Sequence, residues 1–128
     1  GDWSSDVCSS DLRGLAARRK VLGDPYVDAA LTKAEASPFG MEWQQFVTEH
    51  CWDAAWNDDR LPAATRSLIT VAVLAALGRT QELAAHLRGA QNNGCTIAQV
   101  TAALIHTAVY AGMPAGVEGF RVAGEVWQ

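Results

Sequence analysis

A ten-residue segment, from Leu68 to Leu77, is apolar on nearly every side and constrains the fold more than any other feature of this chain. Pro62 is placed to begin a helix through this segment and Gly78 to end it, so the pattern predicts a helix that is buried all round. Only Thr70 interrupts the run, which is far shorter than the ~20 apolar residues of a membrane-spanning helix. We therefore expect neighbouring helices or a second subunit to cover it, and we expect no transmembrane helix.

Helix signals of the same kind recur along the chain and predict an all-α fold. No segment alternates apolar and polar residues between turns of the type that bounds strands. Thr96 and Gln99 fit a capping box at one helix start. The predicted helices run approximately over Pro25–Ala36, Pro38–Trp56, Pro62–Gly78, Thr80–Asn92, Thr96–Gly112 and Pro114–Trp127. Six helices with short connections indicate one compact bundle of about 116 residues.

Two sets of residues on the second predicted helix recur at helical spacing. The first set predicts the face toward the core and comprises Phe39, Trp43, Phe46, Val47, Cys51 and Ala54. The second set, Glu49, Trp52 and Trp56, lies on a different face at spacings of three and four residues. Tryptophans in such a set usually pack at a core edge or a subunit interface, so this set by itself leaves packing and function open.

The first twelve residues, GDWSSDVCSSDL, differ from the rest of the chain, since they contain no basic residue and show no apolar periodicity. Residues 2–12 resemble the in-frame translation of a short-read sequencing adapter, and we interpret residues 1–12 as a foreign, disordered segment. An ordinary disordered N-terminus is the alternative. Residues 13–128 are then expected to form a single helical domain.

Charge and cysteine content argue against nucleic acid binding and against disulfides. The formal net charge is −4, and without the three aspartates of the first twelve residues 11 acidic residues face 10 basic ones. A nearly neutral chain, whose only basic cluster is Arg18 to Lys20, is not expected to bind nucleic acid. The three cysteines, Cys8, Cys51 and Cys95, show no paired spacing, which favours a reducing cytoplasm.

The histidines are not spaced as metal ligands. His50, His86 and His106 form no HxxxH, HExxH or CxxC motif with other ligands, and Glu82 with His86 is at most a weak half-site. We therefore expect no metal. A serine nucleophile is not expected either, because the chain has no GxSxG motif. A single histidine such as His86 is more often structural than functional, and these patterns alone do not decide between the two.

From about Arg18 onward the chain resembles the carboxymuconolactone decarboxylase family. The resemblance is carried by Glu49 to Trp56, EHCWDAAW, by Glu82 to Gly94, ELAAHLRGAQNNG, and by the turn from Tyr110 to Ala115. The chain departs from the family at Trp56 to Leu61, WNDDRL, where Trp-x-Arg-Pro-Gly-Leu is common. This departure bears on which lactone the chain accepts as its substrate.

The resemblance implies an all-helical, alkylhydroperoxidase-like fold that assembles as a ring of three or six subunits. It also implies decarboxylation of 4-carboxymuconolactone, or a similar small carboxylated lactone, to an enol-lactone in protocatechuate degradation, the β-ketoadipate pathway. The lactone carbonyl accepts the electrons that CO₂ leaves behind, so the reaction is expected to need no cofactor.

The site residues implied by the resemblance fall into three roles. His86 is expected to donate the proton, because an ordinary pKa near ~6.5 allows both protonation states, and Glu49 to set its state or relay the proton. Trp52 and Trp56 are expected to exclude water. The expected substrate-binding cations are Arg88 and Arg66, with Arg60 less firmly assigned, because a guanidinium binds a carboxylate through two hydrogen bonds.

Two other functions are weighed against this one. A thiol-dependent, alkylhydroperoxidase-like redox protein would need a CxxC pair seven and four residues before His86, where this chain has Arg79 and Glu82. Only Cys51 is left for such a role. A non-catalytic oligomeric partner of a pathway enzyme is the other alternative, and the presence of Glu49, His86 and Arg88 argues against it.

Overall fold

The computed structural model describes residues 9–128, which form α-helices joined by short turns. The helices are α1 (Ser9–Leu22), α2 (Asp24–Glu35), α3 (Gly40–Val47), α4 (Ala63–Leu77), α5 (Thr80–Asn92), α6 (Ile97–Ala111) and α7 (Met113–Val126). A π-helical segment, Thr48–Asp53, continues α3 directly. Residues 9–128 contain no strand, so the all-α prediction is confirmed. The chain divides into two compact units, a first unit that ends at Arg60 and a second unit that comprises Leu61–Gln128.

Helix α1 was not predicted, so residues 9–128 form seven α-helices where the sequence predicts six in the whole chain. Residues 1–8 of the segment interpreted as foreign lie outside the described residues. Its last four residues, Ser9 to Leu12, are helical where disorder was predicted. The sequence of α1 has a weak apolar face, and the helix is instead packed against the π-helical segment. That residues 1–12 are foreign stays a prediction.

The predicted core face of α3 is exposed. Phe39, Trp43 and Phe46 are 84%, 60% and 54% exposed. The buried residues, Thr48 and Trp52, lie instead in the π-helical segment that continues α3. Gln44 of α3 accepts a hydrogen bond from Arg18 of α1. The apolar residues of α3 do share one face, but this face stays exposed, while α2 packs against α3 and α1 packs against the π-helical segment. The assignment of the apolar face to the core was therefore wrong.

The second unit has an apolar core between α4, α5, α6 and α7. Its buried members are Val71, Ala75, Leu83, Leu87, Ala90, Cys95, Val100, Leu104, Val122 and Val126. Gly119 of α7 lets this helix approach α6 closely, because a Cβ there would lie 2.8 Å from a methyl group of Leu104. Val71 and Ala75 place one side of α4 in this core, whereas other apolar residues of α4 are exposed.

Local helix signals in the second unit agree with the structure. Gly78 ends α4 with a left-handed conformation, φ 71°, which favours glycine. Thr96 and Gln99 form the predicted capping box at the start of α6, with bonds of 3.1 and 2.9 Å. Among the described helices, none is long and apolar enough to span a bilayer.

Candidate active site

The π-helical segment carries two of the predicted site residues, Glu49 and Trp52. Its wide turn is visible in the backbone, where the carbonyl of Glu49 accepts from the amide of Ala54 at 3.1 Å, five residues on. The carbonyl of Cys51 accepts from two amides, those of Ala55 at 3.0 Å and Trp56 at 3.2 Å. Single π-turns are rare and frequently lie at functional sites, because they reorient side chains that a regular helix would place elsewhere.

Trp52 and Trp56 lie in direct contact. Their ring centroids are 5.3 Å apart and their planes are inclined by 22°, which is a stacked arrangement. Trp52 is buried and Trp56 half-buried, whereas Glu49 is exposed. The two indoles therefore form one stacked apolar surface, and Glu49 lies on the π-helical segment that carries Trp52.

A polar cluster that the sequence analysis did not identify holds the end of this segment. Nε and Nη2 of Arg13, in α1, donate to the two carboxylate oxygens of Asp53 at 3.3 and 3.4 Å. Nδ2 of Asn57 donates to Oδ1 of Asp53 at 3.0 Å and to the backbone carbonyl of Arg13 at 3.3 Å. The hydrogen bond from Asn57, and next the one from Arg13, hold the pKa of Asp53 below its ordinary value. We call these three residues the Asp53 cluster.

The thiol of Cys51 lies in surroundings that favour its neutral form. Cys51 is exposed as a residue, yet the atoms around its sulfur desolvate the thiol and raise its pKa, and the nearby positive charge of Arg18 opposes this only in part. Arg18 is itself buried, and its Nη1 donates to Oε1 of Gln44 at 2.6 Å. A thiol with a raised pKa is a poor nucleophile at neutral pH, so these surroundings do not suit a peroxidatic cysteine.

Arg60 is already engaged within the first unit. Its Nε donates to both carboxylate oxygens of Asp58 at 3.0 Å, and the bond to Asp58 raises the pKa of Arg60. A substrate carboxylate would have to compete with Asp58 for this guanidinium. The structure thus gives Arg60 a partner that sequence reasoning did not foresee.

His86 lies in the middle of α5, half-buried, next to the core residue Leu87. Burial lowers its pKa from 6.5 to about 4. The imidazole is therefore neutral at pH 7 when no substrate is bound. This corrects the expectation that both protonation states are populated at neutral pH, because that expectation assumed an unperturbed side chain.

The two predicted carboxylate-binding arginines of the second unit lie on different helices. Arg88 is exposed on α5, and because it follows His86 by two residues, the two side chains leave the helix on nearly opposite sides, about 160° apart. Arg66 is half-buried in the first turn of α4. The adjacent Ser67 accepts a hydrogen bond of 3.0 Å from Nδ2 of Asn93, which joins the start of α4 to the end of α5.

The predicted site residues are divided between the two units. The first unit contains Glu49, Trp52, Trp56 and Arg60, and the second contains Arg66, His86 and Arg88. Within residues 9–128, no group of three or more histidine, cysteine or acidic side chains is arranged to hold a metal ion. The sequence signal for the missed Asp53 cluster is weak, because only Asp53 and Asn57 are one helical turn apart and Arg13 is distant in the chain.

Two apolar clefts of the second unit lie between α6 and α7, and none of the predicted site residues lines them. One has a volume of about 350 Å³, and Ile97, Phe120 and Trp127 are among its walls. The other, of about 470 Å³, includes Val109 and Val117. With a single polar lining residue in the first and none in the second, these clefts resemble an interface more than a site for a charged substrate.

Comparison with known proteins gives concordant matches. A model of the carboxymuconolactone decarboxylase family matches residues 41–125. A 4-carboxymuconolactone decarboxylase of Acinetobacter baylyi is 39% identical over 116 residues, which cover 91% of this chain and 85% of that protein. A nitrosuccinic acid decarboxylase of Metarhizium robertsii is 36% identical over 125 residues, which cover 93% of this chain and 86% of that protein. All three matches include residues of both units.

Proposed function

This chain belongs to the carboxymuconolactone decarboxylase family, and we propose that it removes CO₂ from 4-carboxymuconolactone or a similar carboxylated lactone. It is a decarboxylase, since both relatives named above have that activity in their names and match nearly the whole chain. The observation that carries the choice of substrate is the 39% identity to a 4-carboxymuconolactone decarboxylase over 91% of this chain.

The chemistry of the two named substrates indicates a common substrate class. In 4-carboxymuconolactone the carboxylate that leaves is attached to a quaternary ring carbon next to the ring double bond, and this double bond is conjugated with the lactone carbonyl. Nitrosuccinic acid has a carboxyl group next to a carbon that bears a nitro group. Both molecules hold a second carboxyl group and contain their own electron acceptor. We propose that this protein acts on a dicarboxylate of this kind and supplies binding, orientation and a proton.

The proposed reaction balances with one proton. The bond to the leaving carboxylate breaks, CO₂ departs, and the electron pair delocalises through the ring double bond onto the carbonyl oxygen of the lactone. A proton then adds to the ring carbon next to the carbonyl and gives the enol-lactone. The dianionic substrate thus takes up one proton and yields a monoanion and CO₂.

His86 is proposed to deliver this proton. Its pKa of about 4 keeps it neutral before substrate binds, yet a doubly negative ligand nearby raises the pKa of an imidazole by stabilising its charged form. The substrate would thereby charge the residue that protonates it, with Glu49 relaying the proton from solvent. The low dielectric that lowers the pKa of His86 also strengthens this interaction.

The remaining predicted residues bind and enclose the substrate in this proposal. Arg88 and Arg66 bind the two carboxylates through charge-assisted hydrogen bonds. Arg60 would join them only after exchanging its partner Asp58. The stacked pair of Trp52 and Trp56 excludes water, which leaves the departing carboxylate poorly solvated.

We propose that the working form is a ring of three or six subunits in the cytoplasm. Exposed apolar side chains lie on three helices of the second unit, and they include Ile69, Val73, Leu77, Ile105, Val109, Tyr110, Met113 and Val117. Large exposed apolar patches mark interaction sites, so these side chains support contacts between subunits. Light scattering at micromolar concentration tests the assembly, and a stable monomer would contradict it.

The substitution His86→Gln tests the proposed reaction. Glutamine preserves hydrogen bonding but carries no proton for transfer, and a general acid contributes ~10²–10⁴-fold, so kcat should fall by that factor. Turnover is followed by the loss of ultraviolet absorbance of 4-carboxymuconolactone, with nitrosuccinic acid as the second substrate. A folded His86→Gln protein with the kcat of the parent would refute the role of His86.

The control for the redox alternative is Cys51→Ser. Because the thiol of Cys51 has a raised pKa, this variant should retain decarboxylation within a few-fold, and neither it nor the parent should reduce peroxides. Peroxide turnover that disappears with Cys51 would favour the redox function instead.

A further inference from the structure

The Asp53 cluster connects the residues that follow the two stacked tryptophans. Asp53 comes directly after Trp52, and Asn57 comes directly after Trp56. The hydrogen bond of 3.0 Å between Asn57 and Asp53 therefore runs beside the ring contact of 5.3 Å between the indoles. A change in the separation of Asp53 and Asn57 would also change the separation of the two rings.

One backbone carbonyl accepts two hydrogen bonds where the π-helical segment ends. The carbonyl of Cys51 accepts from the amides of both Ala55 and Trp56, four and five residues on, so the π-turn changes here into tighter turns. Residues four apart, such as Trp52 and Trp56, share a face of a regular α-helix, but here Trp56 lies in the turns that follow the π-helical segment. Its contact with Trp52 therefore depends on what holds these turns. Because π-turns are intrinsically rare, contacts outside the segment must favour this geometry.

Helix α1 supplies those contacts at both ends of the π-helical segment. At its end, the guanidinium of Arg13 binds both oxygens of Asp53, and the backbone carbonyl of Arg13 accepts from Asn57. At its start, α1 approaches so closely at Gly14 that an added Cβ would overlap the carbonyl oxygen of Thr48. The side chain of Asp53 is only 16% exposed, so its charge is partly shielded from water.

We propose that Asp53 is a positioning residue that, together with Arg13 and Asn57, holds the turns after the π-helical segment in the geometry that stacks Trp56 on Trp52. The inference rests on the proposed function in one respect, namely that this pair encloses the substrate. Asp53 itself contacts no substrate in this proposal. It acts through the two tryptophans.

The substitution Asp53→Asn tests this role, with Asp28→Asn as the matched control. An asparagine at this position keeps the size of the side chain but cannot accept at both oxygens from Arg13 and Asn57. Asp28 also pairs with an arginine of α1, Arg19, at 2.8 Å, but it lies on α2 and is not a member of the Asp53 cluster. Both changes therefore remove one carboxylate that pairs with α1, and only the first is expected to affect the tryptophans.

Two measurements separate positioning from general destabilisation. Stacked indoles add an exciton couplet to the far-ultraviolet circular dichroism, and Trp56→Phe defines the spectrum without it. Asp53→Asn should lose most of this couplet and lower kcat/KM roughly tenfold or more, because small displacements of positioning groups cost up to ~10²-fold. Asp28→Asn should change neither quantity. If Asp53→Asn does not fold, Asn57→Ala provides the same test, because it removes the hydrogen bonds of Asn57 to Asp53 and to the backbone carbonyl of Arg13.

The possible results separate this inference from the proposed function. An intact couplet in Asp53→Asn overturns the positioning role, and so does a lost couplet with unchanged kcat/KM. The same losses in Asp28→Asn would also overturn it, since they would show a general effect of weakening α1. If the parent turns over neither 4-carboxymuconolactone nor nitrosuccinic acid, the proposed function fails, and the couplet still decides whether Asp53 holds the tryptophan pair.

Discussion

The two units of this chain are stabilised in different ways. The second unit has ten buried apolar residues in one continuous cluster. Within residues 9–60, the first unit buries only four apolar side chains, Val21, Val27, Ala34 and Trp52, and its helices are joined by polar contacts such as those of Arg13 and Arg18. It also exposes a row of aromatic rings, in which Trp43 stacks on Phe46 and Phe46 contacts His50.

This difference shows that the interactions that supply folding free energy are not the ones that define the precise geometry. Apolar burial supplies most folding free energy but is non-directional, whereas hydrogen bonds supply little net free energy but define geometry. The second unit therefore provides a stable support for His86, Arg66 and Arg88. The first unit uses directional contacts at the end of the π-helical segment, next to Trp52 and Trp56.

The largest effect on stability is expected from the core of the second unit. Leu104 is fully buried, and Leu104→Ala should lower the free energy of unfolding by about 2–5 kcal/mol, because it leaves a cavity. Leu61→Ala, at a leucine that is 40% exposed, is the control and should stay within about 0.5 kcal/mol. Urea denaturation measures both. Equal effects of the two changes would show that the apolar core is not the main source of stability in the second unit.

A second effect should appear as the pH is lowered. The folded pKa of His86, about 4, lies below the ordinary value of 6.5, so the unfolded chain binds more protons between these values. The contribution of neutral His86 to the free energy of unfolding is therefore fully present above pH 6.5, and it is lost as the pH falls toward 4. Between pH 7 and 5 the loss from this residue is about 2 kcal/mol. Urea denaturation at both pH values should show this dependence in the parent and much less of it in His86→Gln.

The close approach of α1 in the first unit should be sensitive to a single methyl group. Gly14→Ala places a Cβ against the backbone of Thr48, and such overpacking costs more than alanine gains in helix propensity. The expected net loss is about 1–2 kcal/mol, measured as a lower urea midpoint. An unchanged or higher midpoint would show that α1 can shift to make room for the methyl group. The contacts of α1 in the first unit would then not define a precise geometry.

The smallest effect is expected at a glycine of the second unit with free space around it. A Cβ on Gly124 of α7 would meet no atom within 4 Å. Gly124→Ala should therefore raise the free energy of unfolding by about 0.5–1 kcal/mol, through reduced backbone entropy of the unfolded chain. A loss of stability at high protein concentration would instead show that this face of α7 is packed against another subunit.

Sequence reasoning succeeded where a structure depends on neighbours in the chain. The helices of the second unit, the glycine cap at Gly78 and the capping box at Thr96 were all predicted, because each depends on residues within about one helical turn. It failed for α1 and for the covered face of α3. Periodicity shows that a helix has an apolar face, but it does not determine which face another helix will cover.

The sequence by itself determined the helical class, most helix ends, and the residues that place this chain in its family. Only the tertiary structure decided that the apolar face of α3 is exposed, that the continuation of this helix is π-helical, and that His86 is neutral at pH 7. Arg13 and Asp53 are 40 residues apart in the chain, so no local pattern relates them. The pKa of His86 follows from desolvation by packed neighbours. Both properties depend on which distant atoms come into contact, and the chain acquires them only when it folds.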